Sequence, residues 1–137
     1  MKVLNDSFSV STKRRCEFID ITDKIEKILA DSDVSDGTVT VYCPHTTAAI
    51  TINENADPDV VHDILLMLSE LVPHSHSGYQ HSEGNSDAHI KSSIVGCSKT
   101  IPVTSGKMQL GTWQAIFFCE FDGPRTRQVI VQATGDV

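Results

Sequence analysis

Residues 81–89 read HSEGNSDAH and run on into IKSS. Within this stretch His81, Glu83, Asn85, Asp87 and His89 can each ionise, donate or accept a hydrogen bond. An imidazole titrates near neutral pH, and a neighbouring carboxylate raises its pKa, so the stretch carries the parts of an acid–base site. It also carries parts of a metal site, because neutral imidazole binds zinc and a carboxylate completes or orients the set. The spacing of the two histidines matches no standard zinc signature such as HExxH. The signal is therefore compositional, and a hydrogen-bonded polar loop has the same composition.

Three other segments could complete a site. His45 stands in CPHTT, at a strand end beside Pro44 and two hydroxyls. A strand end can hold a side chain rigidly at the rim of a cavity, and it can equally satisfy a backbone carbonyl. His45, His81 and His89 together would leave a fourth position open, as a catalytic zinc requires. NEN at 53–55 places Glu54 and Asn55 just ahead of a helix. This is either ordinary loop chemistry or a carboxylate brought next to His45. GTWQ at 111–114 holds the single Trp of the chain. Trp113 reads as a core anchor or as a wall for a ring-containing ligand, with Gln114 at the ring edge. Lys91, followed by Ser92 and Ser93, would neutralise a ligand phosphate if a helix starts here, or lie on a solvated face. His62 reads as a surface residue, and His74 and His76 as helix-end or loop residues.

The elements that must position these groups follow from periodicity. FSVST and CEFIDIT read as strands. Thr22 suits a helix cap ahead of Ile25, Ile28 and Leu29 on one face of TDKIEKILADS. TVTVYC and AAITIN read as strands on either side of PHTT. NADPDVVHDILLMLSELVP is the clearest helix, with Asp57 as cap, Pro58 at its first position and an apolar stripe of Val60, Val61, Ile64, Met67, Leu68 and Leu71. A polar loop runs from His74 to Asp87. TIPVTSGKMQLG reads as a hairpin turning at Ser105-Gly106. TWQAIFFCEFDGPRTRQVIVQAT reads as a second hairpin turning at DGPR, with both strands covered on both faces. This order predicts an α+β fold in which largely antiparallel or mixed sheets pack with two main helices.

The chain has 137 residues and a formal net charge of -7, a single-domain length and a balance that disfavours general nucleic-acid binding. It shows no stretch of signal-peptide or membrane-span type. The four cysteines, Cys16, Cys43, Cys97 and Cys119, form no CxxC pair, which suits a reduced, cytoplasmic protein.

PHTTAAITINENADPDV, HSEGNSDAHIKSS and LGTWQAIFFCEFDGPR, in this order, resemble the YjbQ-like family over nearly the whole chain. The resemblance implies a single α+β domain that assembles as a homotrimer. It also implies a secondary thiamine-phosphate synthase activity, joining a pyrimidine pyrophosphate to a thiazole phosphate with release of pyrophosphate. The polar cluster of the family maps onto His45, Glu54, His81, Glu83 and His89, with Trp113 and Gln114 nearby. On this reading His45, Glu54, Glu83 and His89 carry catalysis, His45, His81 and His89 bind a metal, and Lys91, Trp113 and Gln114 contact the ligand. The metal expected is divalent, zinc first and Mg2+ for the synthase-type reaction, with no organic cofactor. The partners expected are a small-molecule substrate and further copies of the chain, with no nucleic acid and no membrane. The alternative is a trimeric protein that binds a small molecule or metal without turning it over.

Overall fold

The computed structural model describes residues 1–137. Eight strands and three helices follow one another as β1 (Lys2–Ser11), β2 (Glu17–Asp20), α1 (Thr22–Ser32), β3 (Asp36–Tyr42), β4 (Ala48–Glu54), α2 (Pro58–Leu71), α3 (Ser86–Val95), β5 (Ser98–Thr104), β6 (Lys107–Met108), β7 (Gln114–Glu120) and β8 (Thr126–Asp136). One sheet has the order β1-β8-β3-β5-β6 and the other β2-β7-β4. All pairings are antiparallel, so the α+β expectation holds and no parallel pairing occurs.

The two sheets pack face to face. Val39, Val41, Val129, Val131, Ala133, Ile101 and Val103 of the larger sheet meet Ile50, Ile116 and Phe118 of the smaller one. Ile25, Ile28 and Leu29 of α1 join this core, as the 3.6-residue period predicts. Thr22 does not cap its own helix. Its N–H is instead accepted by Asp20 Oδ1 at 2.9 Å, and its hydroxyl accepts the Ile116 N–H at 2.9 Å. The outer face of the smaller sheet carries Ala49, Ala115, Phe117 and Cys119, and together with Phe121, just past the end of β7, it is covered by Ala88 and Val95 of α3 and by Val61, Leu65 and Leu68 of α2. The layers are therefore sheet, sheet and a pair of helices.

Asp57 caps α2, accepting the Asp59 N–H at 2.9 Å, and Pro58 follows as expected. The apolar stripe is only half-covered: no residue of α2 is fully buried, and Leu71 is 71% exposed.

Three expectations are corrected. There are three helices, because α3 begins inside the polar stretch. Its apolar pattern is inverted: Asp87, Lys91 and Ser92 face inward while Ile94 is 62% exposed. A helix that buries its charges has no apolar period to read. The segments around DGPR form no hairpin. β7 pairs with β2 and β4, whereas β8 pairs with β1 and β3, so Asp122–Arg125 is a corner between sheets. Finally, β7 is buried on both faces from Ala115 to Glu120, but β8 alternates and leaves one face open. The Ser105-Gly106 hairpin forms as expected, with Thr104 opposite Lys107. No helix is long and apolar enough to cross a membrane.

Candidate functional site

His45 lies in the connection from β3 to β4. Its Nε2 accepts the backbone N–H of Gln128 at 2.9 Å, and the neutral ring therefore carries its proton on Nδ1. Burial pushes the His45 pKa below the ordinary value, and the Arg127 charge acts in the same direction against the opposing Glu120 carboxylate.

His89 sits on the first half of α3 and lines two cavities. One, of about 380 Å³, is shared with His45, Thr46, Ser92, Ser93 and Cys97. The other, of about 410 Å³, is shared with Tyr79, Gln80, His81, Ser86 and Ile90. Both fall in the size range of small-molecule sites. The His81 ring packs edge to face on His89 with centroids 5.3 Å apart. Glu83 stands 3.6 Å from His81 Nε2, both largely exposed. Gly84 makes the turn at φ 74°, where a side chain is disfavoured. His74 donates from Nε2 to the Gly84 carbonyl at 2.9 Å. Along this wall His89 thus touches His81 and lines the cavity of His45, whereas His81 does not line that cavity.

Two buried ion clusters hold this wall. Asp87, fully buried, receives a two-pronged contact from Arg15 (3.0 and 2.9 Å) and a third bond from Lys91 Nζ at 3.0 Å. Burial alone would raise the Asp87 carboxyl, but the bonds from Arg15 and Lys91 outweigh it and hold the pKa at about 2. Asn85, two residues earlier, donates to Asp122 at 2.9 Å, and Arg125 grips the same carboxylate at 2.9 Å. These contacts fix the start of α3 to the corner after β7.

In the second cluster Glu120 of β7 pairs with Arg127 of β8, both buried. Arg127 also donates to the Thr47 hydroxyl at 2.9 Å, and Thr12 donates to Glu120 at 2.8 Å. Burial raises the Glu120 pKa, but its bonds with Arg127, Asp122 N–H and Thr12 bring it below the ordinary value. Gly123 lets the corner close over this pair: a Cβ there would lie 2.2 Å from the Arg14 carbonyl and 2.9 Å from Glu120 Cγ.

Several expected site residues lie elsewhere. Lys91 is 4% exposed and bound to Asp87, so the expectation that it meets a ligand phosphate is corrected. Glu54 does not stand next to His45, because β4 runs between them. The strand separates its ends by about 20 Å at ~3.3 Å per residue. Glu54 instead pairs in register with Gln114, next to Trp113, whose carbonyl accepts the Asn55 N–H at 3.3 Å. Trp113 is 63% exposed and is no core anchor. Gln114 accepts the Gly111 N–H at 2.8 Å. The expected three-imidazole metal set is not assembled: no three His, Cys, Asp or Glu side chains come together closely enough to hold an ion. The residues of one chain therefore do not fit the expected zinc.

The supporting residues Arg15, Glu120 and Arg127 escaped the sequence reading. The signal was present in FFCEF, where Glu120 interrupts an apolar run, and in TRQVIV, where Arg127 shares the inward parity of Val129 and Val131. A charge at an inward position calls for a buried partner of opposite sign.

The chain matches the family model described as UPF0047 protein YjbQ-like over residues 6–136. It is 56% identical over 129 residues to the UPF0047 protein MJ1081 of Methanocaldococcus jannaschii, covering 94% of this chain and 93% of the relative. It is 50% identical to the UPF0047 protein YugU of Bacillus subtilis, covering 94% and 98%. The solved structure of a YbjQ-like protein of unknown function from Sulfolobus solfataricus superposes with a TM-score of 0.95 at 38% identity, covering 98% and 99%. A member of the yjbq/upf0047 family from Clostridium acetobutylicum does so at 0.90 and 54%, covering 92% and 97%. The inter-sheet core, the His-lined wall and the DGPR corner all fall within the matched residues, and the chain belongs to the YjbQ-like UPF0047 family.

Proposed function

We propose that the protein is an enzyme that binds a small molecule between the β3–β4 connection and α3 and transfers protons through His89. The observation that carries this reading is that one imidazole, His89, lines two adjacent cavities and is backed by a second imidazole and a carboxylate. An imidazole on the wall of a cavity can take up a proton from a bound group or give one to it. His45 faces the same cavity and orients the substrate. The half-covered face of α2, continued by Ile90 and Ile94 on α3, leaves apolar surface that further copies of the chain would cover. We assign a homotrimer, with the pocket at the subunit interface.

The thiamine-phosphate synthase reaction is the activity to assay first, because the family resemblance implies it. The pyrophosphate of that reaction calls for cations, and both Lys91 and Arg15 are committed to Asp87. We therefore assign it as a slow, secondary activity. Incubation with the pyrimidine pyrophosphate and thiazole phosphate should yield thiamine phosphate by mass spectrometry, with His89→Ala inactive. Wild type and variant giving the same yield would sink the reading.

One observation favours the non-catalytic alternative. The hydroxyls of Ser92 and Ser93 donate back to the carbonyls of Ala88 and His89 at 2.8 and 2.9 Å, so neither is poised as a nucleophile. A ligand that co-purifies and survives incubation unchanged would support it.

A further inference from the structure

The contacts of His45 carry an inference that rests on the reading of this pocket and deepens it. His45 Nε2 is occupied by the Gln128 N–H, and Gln128 directly follows Arg127. Arg127 is locked to Glu120 across the two sheets and to the Thr47 side chain and carbonyl, two residues beyond His45. Both the ring and the loop that carries it are thus tied to a single buried ion pair. We infer that the Glu120–Arg127 pair is a positioning device for His45, holding its ring as the Nδ1–H tautomer. His45 then offers the pocket a hydrogen-bond donor, and the group it orients is an acceptor such as a carbonyl or phosphoryl oxygen.

The alternative roles fit the geometry less well. A metal or a proton arriving at Nε2 would have to displace a backbone N–H fixed in the β1–β8 ladder, where Ser9 stands opposite Gln128. The groups around the ring reinforce the neutral state. Arg127 bears on it from β8, Glu120 opposes from β7, the Cys43 thiol precedes it on the β3 side, and His89 faces the shared cavity from α3. Free imidazole side chains tend towards the opposite tautomer, so the Nδ1–H form has to be imposed by its surroundings.

The test reads the tautomer directly and needs no activity. In 15N-histidine-labelled wild type, His45 should show an unprotonated Nε2 and a protonated Nδ1, assigned by its loss in His45→Gln. Added Zn2+ should leave its Nε2 resonance in place. The double variant Glu120→Leu/Arg127→Met removes both buried charges together, which buried pairs tolerate better than removal of one. In it the His45 resonances should move to mixed tautomers. If that variant does not fold, Thr47→Val removes one anchor of the loop and should shift the same resonances part of the way. A protonated Nε2 in wild type, Zn2+ bound at Nε2, or unchanged His45 resonances in the folded variant would each overturn the proposal. Loss of the enzyme reading alone would leave these resonances as described.

Discussion

The imidazoles of His81 and His89 meet edge to face with centroids 5.3 Å apart, and only His89 also reaches the cavity of His45. This asymmetry ranks the two residues. His89→Ala should lower turnover by roughly 10²–10⁴, the usual contribution of an acid–base group, whereas His81→Ala should cost much less and change mainly the pH profile. Steady-state kinetics over pH 5–9 would check the ranking, and equal losses would contradict it.

Asp87 makes stability depend on acid. Its folded pKa of about 2 lies below the ordinary 3.8. The stabilisation is therefore fully present above about pH 4 and is lost as pH falls towards 2, amounting to roughly 2 kcal/mol. Urea unfolding of wild type and Asp87→Asn between pH 6 and 2.5 isolates this share. Wild type should be the more stable by about 3 kcal/mol at pH 6, and the gap should narrow on acidification. A constant gap would remove the carboxylate from the argument.

The sequence made some of this architecture readable and hid the rest for definite reasons. β5–β6, α1 and α2 follow from turn residues and period, because each has a regular apolar face or a sharp local signal. α3 was hidden because its inward face carries Asp87 and Lys91 and its outward face carries Ile94. The sheet change at DGPR was hidden because the same four residues can turn a hairpin or a corner. Only the partners of β7 and β8, far away in sequence, decide between them. Within the site, His45 and His89 were legible as residue types. The distance from His45 to Glu54 was not, since adjacency in sequence says little once a strand intervenes.

Gly123 should not tolerate a side chain. Gly123→Ala places a methyl group against the Arg14 carbonyl and the Thr12 hydroxyl. We expect a loss of about 2 kcal/mol, the scale of an overpacked site, together with weakened docking of the 43–47 loop. Thermal unfolding and the His45 resonances should shift together, and a neutral substitution would show that the corner can open.

The face of α2 gives a test of assembly. Leu66→Glu/Leu71→Glu alters two exposed apolar positions and should leave the fold intact. Sedimentation velocity should show trimer for wild type and a smaller species for the variant. An unchanged species would place the contact between copies on another face.

The position of β8 has a consequence for how the chain reaches its native state. It is the last strand in sequence, yet it lies inside the larger sheet between β1 and β3. The larger sheet therefore lacks its inner strand until residues more than a hundred positions apart, such as Phe8 and Val129, have found each other. Loop-closure entropy opposes such remote pairings before their contacts reward it. Folding should accordingly be slow and all-or-none, with the His-lined wall among the last features to form, because Gln128 supplies its N–H to His45 only once β8 is in place.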